Sequence, residues 1–212
     1  MTLSKIPLGL YAANCYVLCD TLSGEGVVID PGEFSDDLIS LITDSGVKSL
    51  KYILLTHGHF DHILGVNRLK EHFPDAKTAI GAPDEICLSS VEDNLMGREY
   101  ADSFSQIQSD FLLYDADCLE IGSGKLEVIA TPGHSKGGVC FVSPKDKFVI
   151  TGDTLFYRTA GRTDFKGGSF EELSASVDRL MLLDDDYIVY PGHNKSTVIG
   201  EERIKNRFIR NR

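Results

Sequence analysis

The chain has 212 residues, of which 42% are hydrophobic and 25% charged, so it suits a single globular domain over residues 1–212. Its formal net charge of −11 argues against nucleic acid as a partner, because phosphate binding requires a basic surface. The sequence has no apolar run of membrane-spanning length and no signal-peptide core near its start, so we expect a cytoplasmic protein with no membrane partner.

The first half of the chain predicts alternating strands and helices. Residues 15–19 and 26–30 have the pattern of a β-hairpin with a polar turn between its strands. Apolar residues at helical spacing predict a helix from Ser35 to Ser45, and residues 51–55 form a predicted buried strand. The same helical spacing predicts a second helix from His62 to His72.

The second half repeats this order. Residues 82–110 are polar, with short helical patterns, and predict a helical or mobile cap. Five short strands are predicted after it, at 111–114, 118–121, 125–130, 138–142 and 147–151. A helix at 170–183, a buried strand at 186–190 and a short basic helix at 201–212 follow. Sheet followed by helices, twice over, predicts an α/β fold in which two sheets pack face to face with helices outside.

The five cysteines are scattered and include no Cys-x-x-Cys pair. They are Cys15, Cys19, Cys87, Cys118 and Cys140. We expect reduced thiols, mostly buried in strands, which agrees with a cytoplasmic location.

Five of the six histidines fall into three short motifs, and the densest directly follows the strand predicted at 51–55. It reads Thr56-His57-Gly58-His59-Phe60-Asp61-His62. One helix face cannot present all of these side chains, because helical neighbours are three or four residues apart, so we expect a tight loop. Zinc, iron and manganese all accept imidazole and carboxylate ligands. Gly58 would relieve crowding in the loop, and Thr56 would orient a ligand through a hydrogen bond.

Three later motifs each place one metal-binding side chain after a buried strand and a turn. These side chains are His134, Asp153 and His193. Loops at strand ends lie together on one edge of a sheet, where the strands hold them rigidly. Five histidines and two aspartates are too many for one tetrahedral zinc and suit two metals that share a water. His72, at a helix end without ligand-like neighbours, is expected to be a surface or capping residue.

The histidine-rich motif at residues 56–62, followed along the chain by His134, Asp153 and His193, resembles the motifs of the metallo-β-lactamase superfamily. The resemblance covers nearly the whole chain. Four segments are similar to the glyoxalase II branch, whose members hydrolyse thioesters such as S-D-lactoylglutathione. They are Thr131–His134, Gly152–Phe156, Gly161–Asp164 and Tyr190–His193. The resemblance implies a four-layer αββα sandwich.

The resemblance also implies how the candidate ligands are shared between two divalent metal ions. One ion would be held by His57, His59 and His134. The other would be held by Asp61, His62 and His193, and Asp153 would bridge the two. We expect zinc, with iron(II) and manganese(II) as alternatives, because these ligands accept all three.

Two features depart from the glyoxalase II pattern. Full-length members carry a helical C-terminal domain that supplies much of the glutathione site, whereas this sequence continues only through residues 201–212. Residues 135–138 also replace a Pro-Gly pair found in many relatives. We therefore expect a short, single-domain hydrolase of the glyoxalase II type, without a prediction of its oligomeric state.

The mechanism that follows is hydrolysis of a small-molecule thioester by a hydroxide that bridges the two metals. Asp61 is the predicted catalytic residue, because it would both bind a metal and orient the hydroxide. Phe60 is predicted to line the substrate pocket.

A cationic rim for an anionic thiol carrier is predicted on the loop after Asp153. Its candidate residues are Tyr157, Arg158, Arg162 and Lys166. Solvated surface charge is the alternative interpretation of these residues. For Arg162 we favour a structural pair with Asp164.

Other functions compete with thioester hydrolysis. Persulfide dioxygenases share the fold and a segment like Gly161–Phe165, but they hold a single iron through two histidines and one aspartate. They usually have alanine where this chain has Gly192, which favours the hydrolase. A lactonase or another ester hydrolase of the superfamily is a closer alternative. A non-catalytic zinc module is disfavoured, because no cysteine lies in a ligand motif.

Overall fold

Two six-stranded β-sheets form the framework of the computed structural model, which describes residues 1–211 and all their side chains except those of 98–100. The first sheet contains, in spatial order, β1 (Thr2–Leu8), β2 (Ala13–Cys19), β3 (Glu25–Ile29), β4 (Ser49–Leu55), β5 (Lys77–Gly81) and β6 (Phe111–Leu113). Its first three strands are antiparallel, and the pairs from β3 to β6 are parallel.

The second sheet is formed by later parts of the chain. It contains β7 (Cys118–Ile121), β8 (Gly124–Ala130), β9 (Val139–Ser143), β10 (Phe148–Gly152), β13 (Ile188–Pro191) and β14 (Thr197–Val198). Its spatial order is β14-β13-β10-β9-β8-β7, and only the pair β10–β13 is parallel. A small hairpin of β11 (Leu155–Phe156) and β12 (Thr159–Ala160) follows β10.

The helices flank the sheets. They are α1 (Asp36–Asp44), α2 (Phe60–Ile63), α3 (Val66–His72), α4 (Phe170–Leu180), α5 (Ile199–Lys205) and α6 (Arg207–Arg210). Serine side chains cap the two longest: Ser35 Oγ accepts from the backbone N–H of Leu38, and Ser169 Oγ from that of Glu172. These bonds satisfy backbone donors that lack a partner in the first helical turn.

Three apolar clusters separate four layers, because successive strand residues point to opposite faces. In β4, Ile53 and Leu55 pack toward α1–α3, whereas Leu54 packs between the two sheets. On the outer face of the second sheet, Val149 packs with residues of α4 and α5, including Leu173. This arrangement confirms the predicted α/β fold, in which two sheets pack face to face between helices.

Most predicted elements are present, with local differences. The predicted helix from His62 to His72 is wrong in one respect: it is two helices, α2 and α3, because the Gly65 N–H turns away to donate to Pro31 O at 2.8 Å. The predicted basic helix at 201–212 is likewise divided at Asn206, whose side chain caps α6. Arg212 lies outside the described residues.

Several shorter features differ as well. The predicted cap at 82–110 contains two 3-10 helices, Ala82–Leu88 and Arg98–Ser103. β1, β5, β14 and the β11–β12 hairpin were not predicted. The five cysteines are free thiols, and all but Cys118 are buried. Among the described residues, no helix combines the length and apolar character needed to span a bilayer.

Candidate metal centre

The ends of four strands meet at one edge of the sandwich and bring the seven predicted ligands together. Four of them follow β4 in the first sheet: His57, His59, Asp61 and His62. Three follow β8, β10 and β13 in the second sheet: His134, Asp153 and His193. The centre therefore lies across the junction between the two sheets.

The first triad consists of His57, His59 and His134, all buried, whose ligand atoms lie within 4.8 Å of one another. His59 Nδ1 and His134 Nε2 are 3.0 Å apart. Two ligand atoms bound to one tetrahedral zinc at ~2.1 Å would be separated by ~3.4 Å. The spacing of the first triad is thus close to that of a coordination shell.

The second triad consists of Asp61, His62 and His193. Asp61 Oδ2 lies 3.4 Å from His193 Nε2 and 3.9 Å from His62 Nε2. These distances are too long for strong hydrogen bonds and suit ligands arranged around a common ion.

Asp153 lies between the two triads. Its Oδ2 is 3.4 Å from His134 Nε2 in the first triad and 3.7 Å from His193 Nε2 in the second. Its Oδ1 is 3.6 Å from His62 Nε2. A carboxylate in this position can contact a cation in each triad.

Three buried polar atoms of the centre have no hydrogen-bond partner among the described residues: His57 Nε2, His62 Nε2 and Asp153 Oδ1. Buried polar atoms are rarely left unsatisfied, because desolvation without a partner is costly. All three face the space between the ligands, so the residues present fit a pair of divalent cations. The His/Asp cluster therefore fits a dinuclear divalent metal site.

Burial and mutual repulsion favour neutral imidazole in the first triad. Burial, followed by the neighbouring His134, lowers the pKa of His59 to about 3, and burial and His62 hold the pKa of His57 well below its usual range. Neutral imidazole is the form that binds metal.

In the second triad, the neighbouring carboxylates favour the protonated form of an imidazole instead. Burial disfavours the charged form of His62, but the carboxylates of Asp153 and Asp30 outweigh it and raise its pKa to about 10. Burial likewise opposes ionisation of Asp61, but His193 and His62 lower its pKa to about 2. Without a cation this triad therefore retains a proton on an imidazole, which a metal would displace.

Asp30 belongs to the site although sequence reasoning placed it only at a strand end. Its carboxylate is fully buried and accepts hydrogen bonds from Thr56 N at 2.7 Å, Thr56 Oγ1 at 2.6 Å and His62 Nδ1 at 3.0 Å. Its backbone has φ of +54°, which is uncommon for a residue other than glycine. The sequence did contain a signal for Asp30, because it follows a buried strand and precedes the turn residues Pro-Gly. A buried strand and a turn also accompany each of the predicted ligands.

Other contacts fix the orientation of the imidazoles. Thr56 Oγ1 lies 3.1 Å from His57 Nδ1, which agrees with the orienting role predicted for this threonine. His134 Nδ1 donates to Arg162 O at 2.8 Å, and His193 Nδ1 donates to Tyr11 O at 3.2 Å. Each such bond leaves the other ring nitrogen facing the centre.

A second buried aspartate connects the two ligand loops. Asp84 accepts from the backbone N–H of Gly58 at 3.0 Å and of Gly137 at 2.6 Å. It therefore ties the turn that follows β4 to the turn that carries His134. Burial is the main cause of the raised pKa of Asp84. Asp84 was not identified from the sequence, because it lies in the polar segment predicted as a cap.

Two glycines allow close approach at the centre. A Cβ at Gly58 would lie 2.3 Å from Cys87 Cβ, as expected for the crowded loop. A Cβ at Gly192 would lie 2.2 Å from Asp153 Oδ1 and 2.9 Å from His62 Cε1. Glycine at 192 thus lets Asp153 and His62 lie side by side.

A cavity of about 610 Å³ opens onto the centre. Its wall is largely aromatic and includes Tyr11, Phe60, Phe156 and Phe165. The rings of Tyr11 and Phe60 meet edge to face at 5.5 Å. This lining offers an apolar enclosure next to the polar centre.

The predicted substrate-contact residues separate into two groups. Phe60 and Arg162 line the cavity, and Arg162 also pairs with Asp164 through two hydrogen bonds of 2.6 and 2.5 Å, as favoured from the sequence. The other three lie elsewhere: Tyr157 and Arg158 line a separate cleft, and Lys166 pairs with Glu92 and Asp93. The structure does not bring these three to the cavity.

His72 ends α3, as expected, and its Nδ1 lies 3.0 Å from Arg68 O.

Comparison with known proteins relates the chain to one superfamily. The sequence profile of the metallo-beta-lactamase superfamily matches residues 8–193, which include all seven candidate ligands. Hydroxyacylglutathione hydrolase GloC of Haemophilus influenzae is 32% identical over 99% of this chain and 98% of its own length.

Solved structures share the architecture. The B3 metallo-beta-lactamase BLEG-1 has a TM-score of 0.90 and 33% identity, with coverage of 98% of this chain and 99% of its own. TTHA1623 in a di-iron-bound form has a TM-score of 0.84 and 31% identity, over 97% and 99% of the two chains. ETHE1 from Myxococcus xanthus has a TM-score of 0.77 and 26% identity, over 98% and 84%.

Proposed function

The chain belongs to the metallo-beta-lactamase superfamily, and from this premise we propose that it hydrolyses a small-molecule thioester such as S-D-lactoylglutathione at a dinuclear metal centre. The observation that carries the proposal is the pair of triads on either side of Asp153. Similarity to a hydroxyacylglutathione hydrolase supports a thioester over other acyl substrates.

Each triad would hold one cation, with Asp153 in contact with both. When bound, the two divalent cations supply the Lewis acidity that activates water and stabilises negative charge on a carbonyl oxygen. Zinc is the proposed metal, and iron(II) and manganese(II) are alternatives, since a relative of 31% identity has a di-iron form.

Asp61 is the proposed catalytic residue. Its pKa of about 2 keeps the carboxylate ionised at neutral pH, so it can accept a hydrogen bond from the attacking water. This bond would orient the water toward the carbonyl carbon of the substrate. Asp30 and Thr56 would hold the imidazoles of His62 and His57 in place during the reaction.

The aromatic cavity would hold the acyl end of the substrate. Phe60 and Phe165 lie on its wall, and Phe165 packs edge to face on His59 with 5.8 Å between the ring centroids. Apolar groups here would exclude bulk water and strengthen the electrostatic interactions around the reacting carbonyl.

Kinetics and metal content measured on one preparation test the proposal. We expect hydrolysis of S-D-lactoylglutathione with a higher kcat/KM than for a lactone or a β-lactam, and about two metal ions per chain. Asp153→Ala should lose metal and at least ~100-fold in kcat/KM, whereas the exposed control Asp37→Ala should lose neither. Full activity in Asp153→Ala, or an enzyme inert toward all thioesters, would contradict the proposal.

A second candidate function is oxidation of a persulfide at a single iron. It is favoured by the likeness to ETHE1 and by the segment Gly161–Phe165. The iron-loaded protein would then consume oxygen with glutathione persulfide and bind about one iron per chain. Gly192 supports the hydrolase instead, because it leaves room for the ligands of the second triad.

A further inference from the structure

A second cleft, also of about 610 Å³, opens beside the small β11–β12 hairpin and the two last helices. Its lining is mostly basic: Tyr157, Arg158, Thr159, Lys205 and Arg207. Thr159 also lines the aromatic cavity at the metal centre, so the two spaces adjoin at this residue. The hairpin residue Phe156, which pairs with Thr159, lines the aromatic cavity, and its ring centroid lies 6.2 Å from that of His193.

Some of the positive charge of this cleft is balanced by acidic side chains. Arg158 pairs with Glu201 and Glu202, and Lys205 pairs with Glu201. Glu202 is completely buried and also accepts from the backbone N–H of Arg158 at 2.8 Å. These contacts fix the wall of the cleft rather than fill it.

The remaining cations have no acidic partner among the described residues. Arg207 is exposed, and none of those residues bonds to its guanidinium, while its backbone N–H donates to Arg158 O at 3.1 Å. The Lys195 ammonium lies 3.9 Å from the ring centroid of Tyr157. Three cations that line the cleft and Lys195, which contacts its wall at Tyr157, therefore stand against the two carboxylates of Glu201 and Glu202, on a chain whose net charge is −11. Lys195 and, after it, Arg158 lower the pKa of Tyr157, in agreement with a positive local potential.

We propose that this basic cleft binds the anionic end, a carboxylate or phosphate, of the thiol carrier while the acyl group lies at the metal centre. The proposal rests on the proposed thioester hydrolysis and names the class of carrier. An oxyanion in the cleft would complete the bonding of the Arg207 guanidinium, whose planar donors match carboxylate and phosphate. A carrier with a neutral end would form no ion pair in the cleft.

Matched thioesters test this specificity. We would compare lactoyl thioesters of glutathione, which ends in carboxylates, of phosphopantetheine, which ends in phosphate, and of N-acetylcysteamine, which is neutral. In Arg207→Gln, the ratio of kcat/KM for an anionic carrier to that for the neutral one should fall about fivefold, the upper range for an exposed ion pair. The carrier that shows the larger fall identifies the anion.

Lys145→Gln is the matched control, because Lys145 is an exposed cation in the β9–β10 turn. This turn precedes β10, whereas Asp153 and the β11–β12 hairpin follow it, at the other end of the strand. In Lys145→Gln, the ratio of kcat/KM for an anionic carrier to that for the neutral one should equal the wild-type ratio. Lys195→Gln provides a second variant at the cleft and should shift the ratio in the same direction as Arg207→Gln. Ratios in both cleft variants that match those of Lys145→Gln would overturn the proposal.

Direct binding separates this proposal from the proposed function. S-methylglutathione, which cannot be hydrolysed, should shift the backbone amide resonances of residues 157–158 and 205–208 of the metal-loaded protein, and Arg207→Gln should weaken those shifts. If these shifts appear in a protein that hydrolyses no thioester, the anion site stands and the hydrolase proposal fails. S-methylphosphopantetheine is the corresponding probe for the phosphate carrier. If the protein hydrolyses glutathione and phosphopantetheine thioesters while both S-methyl probes shift only residues of the aromatic cavity, the anion site is refuted.

Discussion

At the scale of single residues, the centre depends on side chains that do not touch the proposed metals. Asp30 holds His62 directly and His57 through Thr56, so one buried carboxylate orients a ligand in each triad. Such outer contacts fix the ring orientation and the tautomer of a ligand. The affinity for metal is therefore expected to depend on Asp30 as well as on the ligands.

Asp30→Asn should lower metal affinity by about 10- to 100-fold, because an amide in this place loses the charge that attracts the His62 Nδ1–H. Competition with a chromophoric chelator would measure the affinity, and Asp37→Asn, an exposed change on α1, is the control. Equal affinities in the two variants would show that Asp30 does not support the centre.

Gly192→Ala should remove one metal. Its Cβ would lie 2.2 Å from Asp153 Oδ1, so Asp153 or the neighbouring His62 must move. We expect metal content to fall from about two ions per chain toward about one, with a fall in kcat/KM of at least ~10-fold. Gly124→Ala, where the atoms nearest to the new Cβ would belong to the flexible Met1 side chain, at 3.1 Å, is the control. Two tightly bound ions in Gly192→Ala would refute this explanation.

At the scale of elements, the sequence predicted best the strands that are buried on both faces. β2, β3, β9 and β10 are mostly apolar and buried along most of their length, as is the second half of β4. Ligands follow β4 and β10 among these strands, whereas His134 and His193 follow β8 and β13, which are only partly buried. β1 was not predicted, because it is a partly exposed edge strand that contains Pro7 and lacks alternation. β5 is short and contains alanine and glycine, so its pattern is weak.

The break between α2 and α3 depends on a contact between distant segments and could not be predicted from helical spacing. Gly65 N donates to Pro31 O, which lies beyond the end of β3. Asp84 was missed for the same reason, because its role comes from two backbone groups, one on each ligand loop. The ligands were predictable since each ligand motif directly follows a strand, whereas Asp30 and Asp84 are brought to those motifs only by the fold.

Ser35→Ala tests the predicted start of α1. The Ser35 side chain satisfies the N–H of Leu38, so its loss should reduce the free energy of unfolding by about 1 kcal/mol. Urea unfolding would measure the change. Ser40→Ala, at an exposed position inside the same helix, should change stability by less than ~0.5 kcal/mol. Equal effects at the two positions would argue against a cap.

At the scale of the whole molecule, side chains tie the two sheets together away from the centre. Asp20, at the end of β2, accepts from Ser23 Oγ at 2.8 Å and from Ser23 N at 3.0 Å in its own sheet. It also accepts from Ser123 Oγ at 2.8 Å, in the β7–β8 turn of the other sheet. The Ser23 bonds, followed by that of Ser123, lower the pKa of Asp20 well below its usual range.

Asp20 should therefore make the free energy of unfolding depend on pH in the acid range. A carboxyl with a lowered folded pKa contributes stability above its unfolded pKa of ~3.9, and this contribution is lost as the pH falls further. The difference in unfolding free energy between the wild type and Asp20→Asn should thus shrink between about pH 5 and pH 2.5. Urea unfolding of both proteins in chelator would measure it, with Asp37→Asn as the control. A difference that grows in acid would contradict this assignment.

The division of the ligands between two sheets has a consequence for biosynthesis. More than half of the chain separates His57 from His193, and neither triad has all its members until the strands of the second sheet have been translated. A growing polypeptide on the ribosome would expose the histidine-rich turn after β4 well before its partners exist. Tight uptake of metal must therefore wait until both halves of the sandwich have closed, so loading with cations would report the completion of folding.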